Sequence, residues 1–120
     1  MEARKIVFQS ISQAIDELNR LGSGNSRMMA NRAIHINILL KDVPGPEARF
    51  LKTVYNDIGA EAAISHQAYY EEEGAVTDMV VMGTVYQHRE VKRILIDNSK
   101  VRHLVEAIES VIENAPEIVE

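Results

Sequence analysis

The feature that most restricts this chain is an abrupt stop after a strand. In residues 34–40, Ile34, Ile36, Ile38 and Leu40 fall on one side and His35, Asn37 and Leu39 on the other. That period of two marks a half-buried strand. It runs directly into Asp42-Val43-Pro44-Gly45-Pro46. Proline has no N–H to give to a sheet ladder, and it fixes φ. Glycine permits a tight turn, and an aspartate there accepts hydrogen bonds from nearby amides. Proline also suits the first turn of a helix. A helix is therefore predicted over residues 46–58, with Leu51, Val54, Tyr55 and Ile58 on its inner stripe and Gly59 as its cap.

The remaining periodicities extend this α+β plan. Val7, Ile11, Ala14, Ile15, Leu18 and Leu21 recur at helical spacing, which predicts a first helix over residues 3–21. A polar, Gly-rich connector follows at residues 22–26, and Met28 and Met29 read as core filler. Residues 61–70 predict a second strand and residues 76–84 a third, joined by a charged hairpin loop, Glu71-Glu72-Glu73-Gly74. Gly83 within that third strand signals a bulge or a close backbone approach. Residues 85–97 fit either helix or strand, and a hairpin-like excursion is favoured. Asn98 or Ser99 then caps a helix whose stripe is Val101, Leu104, Val105, Ile108, Val111 and Ile112. Pro116 ends it, and residues 117–120 are either a tail or a short last strand.

After the first helix the order is strand, helix, strand, strand, helix, short strand. That is the ferredoxin-like βαββαβ sandwich. It gives one domain over residues 1–120, with a helix and connector at 1–24 and a core at 34–120 containing the excursion at about 85–98. Two helices cover one face of such a sheet. The other stays bare unless an extra helix or a second subunit packs on it. The first helix is expected to serve.

Composition excludes several classes. The chain has no cysteine, hence no disulfide framework, thiolate nucleophile or thiolate metal site. No apolar run approaches the roughly 20 residues that span a bilayer. The start leads into an amphipathic segment rather than a signal peptide, so a cytoplasmic location is expected. A net charge of −5 argues against non-specific nucleic-acid binding. The basic clusters Arg27/Arg32 and Arg89/Lys92/Arg93 read as solvated surface.

The middle of the chain resembles an ACT domain, a small regulatory module that often binds amino acids. The resemblance rests on Lys41-Asp42-Val43-Pro44-Gly45 after an apolar strand, Ala48 and Phe50 in the next helix, and Ile58-Gly59-Ala60-Glu61 before the second strand. It continues through Val76-Thr77-Asp78-Met79-Val80-Val81 and Asn114-Ala115-Pro116-Glu117-Ile118-Val119. It implies a homo-oligomer joined through sheets or helices. It also implies an effector, an amino acid or small anion, at a subunit interface beside Asp42, Val43, Pro44 and Gly45. Backbone amides there would receive a carboxylate. Any regulated enzyme would be a separate protein.

Residues that carry chemistry are few. His35 and His66 are predicted on strands and would share a face if the strands lie close. His88 reads as an exposed turn residue, and His103 as surface near the start of the last helix. No pair has the spacing of a known metal or catalytic site, and no P-loop, nucleophile elbow or Gly-x-Gly-x-x-Gly is present. No metal or cofactor is called for. Tyr69, Tyr70 and Tyr86 would gather near one end of the sheet. The favoured function is therefore a non-catalytic, oligomeric effector-binding module. One alternative is a small oligomeric enzyme whose interfacial site uses His66, Tyr70 and His88, with Glu90 beside His88. Another is an adaptor that docks another chain on its bare sheet face.

Overall fold

A computed structural model of the protein describes residues 1–114. It is a mixed α+β arrangement of six helices and a three-stranded antiparallel sheet. The strands are β1 (His35–Pro44), β2 (Glu61–Ala63) and β3 (Val76–Thr84), in the order β1-β3-β2. The helices are α1 (Ile11–Arg20), α2 (Ser26–Ala33), α3 (Gly45–Asp57), α4 (His66–Tyr69), α5 (Val85–Leu95) and α6 (Arg102–Asn114).

The alternation in β1 behaves as its sequence requires. Ile38 and Leu40 point into the core, while Leu39 is 57% exposed on the opposite face. Facing them across the register are Val81 and Met79 of β3, also buried. Helices α3, α5 and α6 pack over this side and contribute Leu51, Tyr55, Val91, Leu95, Leu104 and Ile108. No helix among the described residues is long and apolar enough to cross a membrane.

Several expectations need correction. The first helix begins at Ile11, not at residue 3, because the Ser10 hydroxyl accepts the Gln13 amide and caps it there. Ile6 and Val7 lie outside the helix, exposed. Met28 and Met29 are not core: they stand exposed on α2, which buries only Ser26 and Ala30. Small residues at i, i+4 make a helix face that an apolar-pattern search overlooks. α1 packs on α2, and α2 on α5 and β3, so α1 leaves the bare sheet face uncovered.

The second strand is also shorter than the sequence predicts. β2 stops at Ala63, and Ser65 then caps α4 by accepting the Ala68 amide. The excursion expected at 85–97 is helix α5. Thr84 and Gln87 form a reciprocal capping box at its start, a Thr-x-x-Gln signal that outweighs the β-branched residues around it. Gly83 stays in regular register opposite Ile36; a Cβ there would stand 3.0 Å from the Gln87 side chain. The irregularity lies in β1 instead, between Leu40 and Val43. Three strands are described, so the four-stranded ferredoxin-like sandwich is not shown. Its last strand was expected at residues 117–120, which lie outside the described residues, as does Pro116.

Candidate functional site

The strand–turn–helix step at Asp42, Val43, Pro44 and Gly45 forms one end of the sheet. β1 does not stop before Pro44; it bulges between Leu40 and Val43 and pairs on to Pro44 itself. Asp42 adopts φ +56°. A non-glycine residue in that region needs support, and Asp42 receives it from β3, where Asp78 Oδ1 accepts its N–H at 3.0 Å. Val43 then rejoins the register opposite Thr77 and is buried. Gly45 opens α3, and its N–H donates to the Ala75 carbonyl at 2.9 Å. A Cβ on Gly45 would lie 3.1 Å from that same oxygen, so close approach, rather than φ, requires glycine here.

These bonds change what the loop can bind. The amides of Asp42 and Gly45 already donate within the chain, and Pro44 and Pro46 have none. Glu47 places a carboxylate in the first turn of α3, 3.1 Å from His103 Nε2. The expected cradle for a carboxylate is thus largely occupied, and the nearby side chains Asp42, Asp78 and Glu47 are acidic. A ligand's ammonium group suits this surface better than a bare anion.

The helix α4 packs beside the loop. Arg49 Nη1 donates to the Ala68 carbonyl at 2.8 Å, and its Nε lies 3.5 Å from Glu71. Ser65 N–H donates to Thr77 Oγ1 at 2.9 Å, which fastens the start of α4 to β3. This placement brings His66 against Tyr70, with ring centroids 4.4 Å apart, and Tyr69 edge-on to Tyr70 at 5.1 Å. Tyr86 does not join them: it lies at the start of α5, with the Arg32 guanidinium 4.0 Å over its ring.

The histidines do not converge. His35 sits on the bare face of β1 and bonds Asn37 Oδ1 at 2.9 Å. His66 is on α4 rather than on a strand. His88 is neither a turn residue nor exposed; it is fully buried in α5. Its Nε2 lies 2.8 Å from the Ile36 carbonyl and its Nδ1 2.7 Å from the Tyr55 hydroxyl. A carbonyl can only accept, so Nε2 carries the proton and Nδ1 accepts from Tyr55. Burial pushes the His88 pKa down, against a smaller opposing pull from the Ile36 carbonyl. Burial pushes the Tyr55 phenol up, so it remains a donor. Glu90, beside His88 in sequence, pairs outward with Arg93. Among the described residues no three His, Asp or Glu side chains converge to hold a metal ion.

Sequence reasoning missed Tyr55 and Asp78. Tyr55 stood only as one of an apolar stripe, and a buried phenol needs a hydrogen-bond partner that the stripe does not name. Asp78 has no local signal, because its role depends on a register across 36 residues. Comparison with protein-family models, curated proteins and solved structures finds no match for the chain.

Proposed function

We propose that the chain is a cytoplasmic, ACT-like regulatory module that self-associates and binds a small amino-acid effector. The observation that carries the reading is the end of the sheet, where β1 passes through Asp42 into α3 and α4 docks alongside. Loop and helix start meet there, and Arg49 of α3 holds the Ala68 carbonyl of α4 beside them. The strand order supports the finer fold assignment. Val85 N–H donates to the Ile34 carbonyl, so by antiparallel alternation the backbones of His35, Asn37 and Leu39 face the outer edge of β1. A βαββαβ sandwich would place its fourth strand, from the residues after 114, on that edge.

Self-association would use the bare sheet face. Leu39 pairs with Val80, and Val80 with Ala63, forming an apolar row across all three strands. Leu39 and Ala63 are exposed and Val80 half-buried, so the row faces solvent in one copy. A second copy would bury it. The enzyme alternative draws less support, because both ring nitrogens of His88 are engaged inside the core.

Thermal melts across the standard amino acids and small anions test this reading. An effector at a hundredfold excess over its Kd adds about 2.7 kcal/mol, which is a shift of about 10 °C for a chain of this size. A panel without any shift would overturn the proposal.

A further inference from the structure

A groove of about 530 Å³ runs along the outer edge of β2, against α4. Its walls include Lys52, Glu61, Ile64, His66, Tyr69 and Tyr70. Its volume is in the range of small-molecule sites. Two features of its walls are unusual for an exposed edge.

The first is the aromatic group. Tyr69 and Tyr70 are 55% and 63% exposed, yet they pack on each other and on His66 rather than on the core. Their edge-on and tilted packing gives a preformed wall with ring surface left open to a planar partner. The second is the charge pair. Lys52 Nζ donates to Glu61 Oε1 at 2.8 Å and to the Ala62 carbonyl at 2.6 Å. Glu61 Oε1 also accepts the Ala62 N–H at 2.8 Å. These bonds cap the outward amide and carbonyl of the edge strand and fix both side chains. Lys52 keeps a third N–H, and Glu61 Oε2 bonds no described residue.

A fixed ammonium beside a fixed carboxylate is the complement of a zwitterion. We infer that this groove binds a free aromatic amino acid, its carboxylate at Lys52, its ammonium at Glu61 and its ring against Tyr70 and Tyr69. The inference rests on the regulatory reading above and names the effector class and its seat. The Asp42 loop then does not touch the ligand, and α4 is held in place by Arg49 and Thr77.

Isothermal titration calorimetry with L-phenylalanine, L-leucine and 3-phenylpropanoate tests it, on the wild-type chain and on Tyr70→Ala, Glu61→Gln and Asp42→Asn. Glu61→Gln keeps an oxygen for Ala62 and Lys52 but removes the charge. The expected result is that wild type binds L-phenylalanine, and that Tyr70→Ala and Glu61→Gln each weaken it by about tenfold or more. Glu61→Gln should not weaken 3-phenylpropanoate binding, since it removes a like charge beside Lys52, and Asp42→Asn should leave L-phenylalanine binding unchanged. Leucine bound as tightly as phenylalanine, or phenylalanine binding indifferent to Tyr70→Ala, would overturn the groove while leaving the regulatory reading in place. No binding of any amino acid in the melting panel would remove both.

Discussion

Tyr55→Phe deletes one hydroxyl from the centre of the core and leaves the ring in place. In the native protein that hydroxyl donates to His88 Nδ1 at 2.7 Å, and both residues are fully buried. Without it, Nδ1 is an acceptor with no partner and no access to water. The cost of such an orphan is about 1–3 kcal/mol. A chain of 120 residues has an unfolding entropy of about 0.25 kcal/mol/K, so each kcal/mol moves Tm by about 4 °C. Tyr55→Phe should therefore lower Tm by about 4–12 °C in a melt followed by circular dichroism. The same bonds set a pH dependence. Burial holds the native His88 pKa below its unfolded value, near 6.5. Above pH ~6.5 both states are neutral at this site and its contribution is constant. Below that, the unfolded chain takes up a proton that native His88 refuses. Stability falls with falling pH, by up to about 1.4 kcal/mol per pH unit, until the native pKa is reached. His88→Gln keeps an amide donor for the Ile36 carbonyl and removes this titration, so its slope between pH 6.5 and 5 should be shallower by up to about that amount. The other three histidines cancel in the comparison. Identical slopes for His88→Gln and wild type, or an unchanged Tm for Tyr55→Phe, would refute the account of this network.

Other expectations follow from single contacts. Leu39→Glu places a charge in the centre of the bare sheet face; under the proposed self-association, light scattering should show an oligomer for wild type and a folded monomer for this variant, and equal masses would remove that face from the interface. Thr84→Ala breaks the capping box of α5 and should cost about 1 kcal/mol in urea unfolding, with no cost if the cap is idle. Gly45→Ala sets a methyl 3.1 Å from the Ala75 carbonyl and should destabilise by about 1–3 kcal/mol; a stability equal to wild type would show that this approach can relax freely.

How much of this was legible in the sequence depends on where each signal resides. β1, α3 and β3 are carried by local patterns: alternation in Ile34–Leu40, the Pro-Gly-Pro punctuation, and the apolar run of residues 76–84. α5 carried an equally local signal in Thr84 and Gln87, but the neighbouring Ile94-Leu95-Ile96 masked it. α2 was hidden for a different reason, because its buried face is Ser26 and Ala30, and neither counts as apolar bulk. The site was less legible than the fold. Nothing near Asp42 announces that Asp78 will take its amide, and nothing near His88 announces Tyr55, since both contacts form only once β3 and α5 have been placed. The groove was partly visible in the expected gathering of Tyr69 and Tyr70, but reading residues 61–70 as strand grouped them with Tyr86 and left out the turn of α4 that sets His66 beside them.

Two-dimensional amide NMR of the labelled protein, titrated with the amino acids that raise its melting temperature, tests the central claim most directly. The account expects the shifted amides to cluster at residues 61–70, along β2 and α4, around the groove. Shifts confined to α1, α2 or the outer face of α5, or no shift with any amino acid, would contradict it.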